Sequence, residues 1–263
     1  MNRIDAKFLE LAKRKKTAFI AYITVGDPNL ETTVALVSTL ADAGADIIEL
    51  GIPFSDPLAD GTTIQAASQR ALAGGVTLTK IFPMVSTIRK QTQIPLLFMT
   101  YYNPVFHYGE RRFVDQSKKV GIDGLIIPDL PPQEATALVA LTKKEQLAMP
   151  FFLSPTTTRE RMKDIIKDST GFIYYVSLTG VTGARRELPT TLRDAVLQIK
   201  RMTNKPVCVG FGVSTPEQVL SLSKIADGVI VGSAIVKAIE KNLAQKDLAK
   251  RVGRFVKTLT KVL

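Results

Sequence analysis

The sequence contains a single cysteine and a single histidine, and both shortages exclude whole classes of chemistry. One thiol, Cys208, cannot form an internal disulfide, which favours a reducing, cytoplasmic location. Because it stands in an apolar run, Cys208 is expected to be a packed thiol. One imidazole, His107, cannot supply a Ser-His-Asp or Cys-His triad or a histidine-based metal site. We expect His107 to pack or to face solvent in a loop beside Phe106 and Tyr108, and we predict no metal centre.

Long apolar runs are absent as well. No segment approaches the roughly 18 apolar residues of a membrane-spanning helix, so no membrane partner is predicted. The first residues, Met1–Asp5, lack the apolar core of a secretion signal, which again favours the cytoplasm.

Acidic residues are in the minority: 24 carboxylates stand against 35 lysines and arginines, for a formal net charge of +11. Such an excess suits a nucleic acid, a phosphorylated metabolite or an acidic partner. Basic residues concentrate at Lys13–Lys16 and near the end of the chain, where their helical spacing predicts the solvated face of an amphipathic terminal helix. No RNA-binding motif, zinc signature or basic zipper accompanies them, so nucleic-acid binding stays a minor alternative and no nucleic-acid partner is predicted.

Apolar strand-like runs alternate with helical periodicity along the whole chain. Strands are expected at 18–23, 46–50, 95–99, 123–127, 149–153, 172–177, 206–210 and 227–231. Helices are expected after each strand, the last over 234–262, with an extra N-terminal helix at 4–14 and a helical insert at 63–73 after the second strand. Eight such units predict an α/β fold, a (β/α)8 TIM barrel with one domain over 1–263. The alternative, an open doubly wound sheet, favours a glycine-rich dinucleotide motif after the first strand, and Thr24–Pro28 is not one.

Two acidic residues stand at the carboxyl end of the second strand. Alternation turns Glu49 to the face opposite Ile48 and Leu50, where a carboxylate is costly unless it is paired or has a function. Asp60 follows on a loop rich in proline and glycine, in which neither helix nor strand is expected. Alone, Glu49 is equally compatible with an ion pair to a lysine, and Asp60 before a glycine is ordinary turn chemistry. In a barrel this end of the strands carries the active site, which makes both acids candidates for acid–base catalysis.

Glycine-rich loops follow the sixth, seventh and eighth strands, at 179–183, 210–214 and 232–234. Their backbone N–H groups can point at an anion, and the last loop opens a helix whose N-terminus carries a partial positive charge. One such loop is ordinary turn chemistry, whereas three at consecutive strand ends favour a phosphate cradle. The pattern indicates a phosphate ester without saying which one.

No predicted strand ends in a lysine suited to an imine, which disfavours Schiff-base aldol chemistry. Tyrosines stand near several strand ends instead, and they fit an aromatic binding slot and ordinary packing equally well: Tyr22, Tyr101, Tyr102, Tyr174 and Tyr175. The candidate functional groups are therefore two carboxylates, a set of aromatic rings and a phosphate-binding site.

Over nearly its whole length the sequence resembles the alpha subunit of tryptophan synthase. The most specific stretch is Glu49–Gly61, ELGIPFSDPLADG, which almost identifies the family unaided. Shorter matching stretches are Tyr101–Pro104, Pro128–Pro131, Gly180–Gly183, Gly210–Gly212 and Gly232–Ser233. One departure is Thr62, where the family usually has proline, and we expect at most a change in loop stiffness.

The resemblance implies a lyase of L-tryptophan biosynthesis that cleaves indole-3-glycerol phosphate to indole and D-glyceraldehyde 3-phosphate, a retro-aldol step without metal or imine. Glu49 would protonate ring carbon C3, because an apolar barrel interior raises a carboxyl pKa above its usual value of about 4.3. Asp60, nearer to solvent, would stay charged and hold the ring N–H.

The resemblance also implies roles for residues around these two acids. Thr182 would close over the site and hydrogen-bond Asp60. The substrate-binding set would comprise the walls of the indole slot, Tyr22, Met99 and Ile126, together with Tyr101, with Tyr174 beside the glycerol chain, and with Thr182. The phosphate would be held by Gly183, Gly212, Gly232 and Ser233.

A partner is implied too: a beta subunit that carries pyridoxal phosphate and joins indole to serine in an alpha2beta2 complex. The face around Asp56, Pro57 and Asn103 would meet it, and this chain would bind no cofactor of its own. Two other functions stay open, namely a phosphate-gripping isomerase or cyclase barrel of the same pathway, and an inactive barrel that only activates its partner. The presence of both Glu49 and Asp60 argues against the inactive barrel.

Overall fold

The structure is a computed structural model that describes residues 1–176, 190–210 and 212–263. Its strands are β1 (Ala18–Thr24), β2 (Ile47–Gly51), β3 (Leu96–Met99), β4 (Gly124–Ile126), β5 (Phe152–Leu153), β6 (Ile173–Val176), β7 (Val207–Gly210) and β8 (Gly228–Val231). Its helices are α1 (Arg3–Lys13), α2 (Leu30–Asp42), α3 (Thr62–Ala73), α4 (Leu78–Arg89), α5 (Tyr102–Tyr108), α6 (Glu110–Val120), α7 (Thr136–Lys144), α8 (Arg159–Asp168), α9 (Thr190–Met202), α10 (Pro216–Ser223), α11 (Ser233–Glu240) and α12 (Leu248–Thr260). Within these residues no single helix is long and apolar enough to cross a membrane, and α3 and α4 pass that test of length and composition only together, as a pair bent by 100°.

The strands are parallel and form one sheet in the order β4-β3-β2-β1-β8-β7-β6-β5. Ala148, which precedes β5, bonds to the strand at the other edge of the sheet: its N–H donates to the Asp123 carbonyl and its carbonyl accepts from the Leu125 N–H, both at 2.8 Å. These bonds place Gly124 opposite Ala148 and close the sheet into a ring. The predicted (β/α)8 TIM barrel, with α1 as the extra helix and α3 as the insert after β2, is confirmed.

Alternation along the strands divides the core into an inner and an outer layer. On β2, Ile48 packs outward among the helices and Ile47 packs inside the ring. Helix α1 closes the amino-terminal end of the ring, because its Ile4, Phe8 and Leu11 are buried in the inner layer. The opposite end, where the strands finish, is left to the loops that build the site.

One helix is not predicted by the sequence pattern. We expect a loop around His107, but residues 102–108 form α5, so the loop prediction is wrong. In the first turn the Tyr102 N–H donates to the Asp129 carboxylate at 2.9 Å, a contact between distant residues that no local pattern reveals. Pro104 is tolerated because it also lies in the first turn, where its missing N–H is not needed.

The end of the chain also differs from the prediction of one helical stretch over 234–262. Two helices are present, α11 and α12, with residues 241–247 between them, so the single stretch is wrong. The Asn242 side chain donates to the Ala238 carbonyl at 2.8 Å and satisfies a free carbonyl at the end of α11. Leu248 then begins α12 as a buried residue. The basic side chains of α12 are exposed, as predicted for a solvated face: Lys250, Arg251, Arg254 and Lys257.

Asp123 ties α1 and α4 to the amino-terminal end of the barrel. Its buried carboxylate accepts hydrogen bonds from Arg89 at 2.7 Å, from Arg3 at 2.8 Å and from the Leu96 N–H at 2.9 Å. The Arg89 side chain is only 10% exposed and donates further to three backbone carbonyls. The ion pair is therefore largely withdrawn from water, where the loss of one partner is costly.

We expect Asp123→Ala to lower the free energy of unfolding by about 3–5 kcal/mol, because it leaves the buried Arg89 guanidinium without its carboxylate. Urea titration followed by circular dichroism measures the change. The matched control is Asp247→Ala, which removes an exposed carboxylate from Arg251 and should cost no more than about 1 kcal/mol. If both substitutions cost the same small amount, the backbone carbonyls alone satisfy Arg89 and the prediction is wrong.

Candidate active site

A cavity of about 450 Å³ opens at the carboxyl ends of the strands. Both predicted catalytic acids line it, together with three of the predicted phosphate-binding residues. Its described lining consists of Tyr22, Glu49, Ala59, Asp60, Gly61, Ile64, Met99, Pro128, Phe152, Tyr174, Val176, Gly210, Gly212, Ile230, Gly232 and Ser233. A wider groove of about 950 Å³ runs between α6 and α7, but it lies outside the barrel and shares no residue with this cavity.

Glu49 lies inside the ring on β2, between Tyr22 of β1 and Leu97 of β3. Its side chain is fully buried, and neither carboxyl oxygen has a hydrogen-bond partner among the residues that the structure describes. Burial without a partner disfavours the charged form and raises the pKa of Glu49 to about 8. At neutral pH the group therefore holds a proton and presents an acidic O–H to the cavity. Within the described part of the chain, the alternative of an ion pair with lysine is not seen.

Asp60 lies on the loop 52–61, which has neither helix nor strand, as predicted. Partial burial raises the pKa of its carboxyl to about 6, and a hydrogen bond from Tyr101 opposes that rise. At neutral pH Asp60 is therefore mostly ionised while Glu49 is protonated. The predicted roles require these protonation states, because Glu49 is to donate a proton and Asp60 is to stay charged. The main cause of the difference is the burial of Glu49 without a partner.

Tyr101 supports the loop of Asp60 from below and does not line the cavity, in contrast to its predicted contact with substrate. Its hydroxyl accepts a hydrogen bond from the Ala59 N–H at 2.8 Å, and its ring lies 5.5 Å from that of Phe54. The Gln65 side chain holds the same loop from α3 by donating to the Asp60 carbonyl at 2.8 Å. These contacts fix the backbone that carries the carboxylate.

Tyr22 lies next to Glu49 and needs a glycine at position 51. A Cβ built at Gly51 would come within 2.1 Å of the Tyr22 hydroxyl oxygen, so any side chain there would displace the ring. The hydroxyl reaches Thr24 at 3.4 Å. Gly51 thus has a packing role, and it lets a large aromatic ring stand directly beside the buried acid.

Aromatic and apolar side chains form the walls of the cavity. Tyr174 on β6 lies with its ring 4.5 Å from Phe152 of β5, and Met99 lines the cavity from β3. Phe152 is not among the predicted site residues, although its position near the carboxyl end of the predicted strand 149–153 could have suggested it. Ile126, predicted as a wall of the indole slot, is fully buried in the inner core layer and does not line the cavity.

The glycine turns line the same cavity as the acids. Gly232 is the N-cap of α11 and Ser233 is its first residue, so free backbone N–H groups and the positive end of the helix dipole face this region. Gly212 has a φ of +72°, a left-handed conformation that favours glycine. Thr182 and Gly183, predicted to close the site and to hold phosphate, lie outside the described residues.

The predicted partner face lies at the carboxyl end of the strands, on the loop after β2 and on α5. Asp56 and Asn103 are exposed and Pro57 is partly buried. Two large apolar side chains stand exposed at the same end: Leu58 is 94% exposed and Phe106 is 67% exposed. Leu58 follows Pro57 in the chain and Phe106 shares α5 with Asn103, so both side chains add apolar surface to the predicted partner face.

Comparison with known proteins agrees with this geometry. The sequence model of the family described as tryptophan synthase alpha chain matches residues 8–262. A tryptophan synthase alpha chain from Geotalea daltonii is 48% identical over 259 residues, covering 98% of each chain. One from Caldanaerobacter subterraneus subsp. tengcongensis is 47% identical over 263 residues and covers all of both chains.

Solved structures give the same result. The tryptophan synthase subunit alpha from Legionella pneumophila superposes with a TM-score of 0.93 at 39% identity, covering 100% of this chain and 98% of that one. A chain of the tryptophan synthase a2b2 complex from Pyrococcus furiosus superposes with a TM-score of 0.88 at 41% identity, covering 94% and 98%. This chain therefore belongs to the tryptophan synthase alpha chain family.

Proposed function

We propose that Glu49 and Asp60 perform the alpha reaction of tryptophan synthase in this cavity, the cleavage of indole-3-glycerol phosphate to indole and D-glyceraldehyde 3-phosphate. One observation carries the assignment of roles: two carboxyl groups of opposite ionisation face the same cavity, which the glycine turns also line. The cavity is large enough for a substrate of this size, since small-molecule sites begin at about 300 Å³.

Glu49 acts first as a general acid. It donates its proton to C3 of the indole ring, which breaks the aromaticity of the ring and leaves positive charge on the ring nitrogen. The bond between C3 and the glycerol carbon then breaks, and its electron pair restores the aromatic ring. The hydroxyl on that glycerol carbon loses its proton as the carbon becomes the aldehyde. The Glu49 carboxylate accepts this proton and returns to its starting state.

Asp60 supplies negative charge where positive charge develops. Its carboxylate accepts the hydrogen bond of the ring N–H and becomes more stabilising as the ring is protonated. At the other end, Gly212, Gly232 and Ser233 hold the phosphate through backbone N–H groups and the N-terminus of α11. Binding energy from the phosphate thus keeps the reacting carbon beside Glu49.

The beta subunit is the partner of this chain, and we assign pyridoxal phosphate to that subunit alone. No lysine lines the described part of the cavity, which supports the assignment because pyridoxal phosphate is held as a lysine Schiff base. We also propose that residues 1–263 form one domain and that the enzyme works in the cytoplasm. The closed ring of strands supports the first proposal, and the single, buried thiol of Cys208 supports the second.

The test is direct: the purified chain is incubated with indole-3-glycerol phosphate, with and without a beta subunit, and free indole is measured. We expect indole in both reactions. An isomerase or cyclase barrel would consume the substrate without releasing indole, and an inactive barrel would leave it intact. Either result would exclude the proposed function.

The dependence of kcat/KM on pH should be bell-shaped, with limbs at about 6 and about 8. The active form needs Asp60 ionised and Glu49 protonated. Activity therefore falls below the lower limb as Asp60 gains a proton, and it falls above the upper limb as Glu49 loses one. Initial rates of indole release between pH 5 and pH 9.5 measure both limbs, and a profile that keeps rising above pH 8 would exclude Glu49 as the acid.

We expect Phe106→Asp to weaken binding of the beta subunit by about tenfold or more, since exposed aromatic anchors often contribute over 1 kcal/mol to an interface. Calorimetric titration with the beta subunit measures the dissociation constant. The matched control is Leu9→Asp on α1, which is 53% exposed at the opposite end of the barrel. Equal affinities for the two variants would place the interface elsewhere.

A further inference from the structure

Arg70 on α3 joins two other elements of the barrel through a single guanidinium. Its Nε and Nη2 donate to the two carboxyl oxygens of Asp27 at 2.8 and 2.9 Å, and its Nη1 donates to Glu240 at 3.1 Å. Asp27 is fully buried on the loop after β1, and Glu240 is the last residue of α11. The Arg70 side chain is 26% exposed, so its pair with the buried Asp27 is largely withdrawn from water, whereas the contact to Glu240, which is 43% exposed, lies at the surface.

The same three elements also pack against one another on the side of the cavity. Tyr22 of β1, Ala67 of α3 and Val236 of α11 form a buried apolar cluster, with Ile64 and Met99 against it. Tyr22, Ile64 and Met99 also line the cavity. One wall of the substrate site is therefore built by three elements that Arg70 holds together from behind.

The starts of the two helices carry the two ends of the substrate site. Helix α3 begins at Thr62, directly after the loop that carries Asp60, and α11 begins at Ser233 after Gly232. Any shift of α3 relative to α11 changes the distance between the group that holds the indole nitrogen and the groups that hold the phosphate. A substrate that must reach both ends is sensitive to that distance, whereas a ligand of one end is not.

We propose that Arg70 is a positioning residue that sets the separation between the indole end and the phosphate end of the site. The proposal rests on the proposed function, because it concerns the same substrate. The bidentate geometry to Asp27 fixes the guanidinium plane, which leaves Nη1 aimed at Glu240. Lysine cannot reproduce this fork, since it offers one point charge on a flexible stem.

The experiment compares a ligand that spans the site with two ligands that occupy one end each. Arg70→Met should lower kcat/KM for indole-3-glycerol phosphate by roughly 10- to 100-fold, as expected for a misplacement of about 1 Å. The dissociation constants of indole and of glycerol 3-phosphate, measured separately by calorimetry, should change by less than about threefold, because each end keeps its own contacts. All assays use the full chain with the beta subunit present and serine withheld.

Two further variants should give losses of kcat/KM that are smaller than that of Arg70→Met. Arg70→Lys should recover part of the lost kcat/KM, because an ammonium can still pair with Asp27. Glu240→Gln breaks only the charged contact to α11 and keeps the pair with Asp27, so its loss should be smaller than that of Arg70→Met but in the same direction. The matched control is Arg251→Met, which removes an exposed ion pair with Asp247 on α12 and should leave all three measurements unchanged.

Two results would overturn the positioning role: a kcat/KM within about twofold of wild type for Arg70→Met and Glu240→Gln, or an equal loss of affinity for the one-ended ligands. The second result would mean that Arg70 only maintains the fold. If Arg70→Met does not fold, Glu240→Gln decides the question by the same two criteria. Absence of indole release by the wild-type enzyme would instead exclude the proposed function, and the positioning role with it.

Discussion

Glu49→Gln should reduce kcat for indole release by roughly 10³- to 10⁴-fold, the largest effect that we expect from any single substitution in this chain. Glutamine has nearly the same size and shape as a protonated glutamate, so the cavity keeps its form. Its amide N–H groups are far too weakly acidic to protonate C3 of the ring. The loss corresponds to about 4–5.5 kcal/mol of transition-state stabilisation.

The loss should fall on kcat and leave binding of the phosphate end intact. Glu49 is fully buried beside Tyr22, while Gly232 and Ser233 belong to the start of α11. The dissociation constant of glycerol 3-phosphate should therefore stay within about threefold of wild type, because the substitution is isosteric and leaves the backbone N–H groups of the anion site unchanged. The alkaline limb of the pH profile should also disappear from any residual activity. Near-normal turnover by Glu49→Gln would assign the proton transfer to another group.

The same substitution gives an independent check through stability. The pKa of Glu49 rises from 4.5 to about 8 on folding, so the folded state holds the proton more tightly than the unfolded chain does. Stability from this group is fully present below pH 4.5 and is lost as the pH rises through 8. Glutamine does not titrate, so Glu49→Gln should gain on the order of 4 kcal/mol relative to wild type between pH 5 and pH 9. Urea unfolding at the two pH values measures this gain, and a difference that does not vary with pH would show that Glu49 is not buried as a neutral acid.

The barrel and its buried acid follow from local patterns. Eight apolar runs with helices between them specify a parallel ring, and alternation along β2 is enough to turn Glu49 inward. The place of Asp60 follows from the same logic, because loops after strands meet at one end of a barrel. Each of these inferences uses neighbours in sequence, whose relation is set by backbone geometry alone.

What local patterns miss depends on contacts between distant residues. Helix α5 begins where the Asp129 carboxylate accepts a hydrogen bond from the Tyr102 N–H. The Tyr101 hydroxyl accepts one from the Ala59 N–H and so holds the loop that carries Asp60. Ile126 shows the same limit. Its strand and its inward-facing side are predictable, but whether its side chain reaches the cavity depends on the residues that pack over it. The network of Arg70 joins residues 43 and 170 positions away in the chain.

Asp60→Asn carries the second-largest expected effect, a loss of roughly 10²- to 10³-fold in kcat/KM at neutral pH. Asparagine keeps the shape of the side chain and can still accept a hydrogen bond from the ring N–H. It cannot supply the negative charge that stabilises the protonated ring. The loop should keep its conformation, because Tyr101 and Gln65 also hydrogen-bond backbone atoms of residues 59 and 60, and the asparagine oxygen can still accept the hydrogen bond from the Tyr101 hydroxyl.

The pH provides the internal control for this variant. With a pKa of about 6, Asp60 is about nine-tenths ionised at pH 7 and about one-tenth ionised at pH 5. The variant has no charge at this position at any pH, and wild type loses most of its charge there at pH 5. The ratio of wild-type to variant activity should therefore fall about tenfold from pH 7 to pH 5. Initial rates of indole release for both proteins at the two pH values measure the ratio. A ratio that stays constant would mean that Asp60 acts through its shape and hydrogen bonds, and the developing charge on the ring would need a different counter-ion.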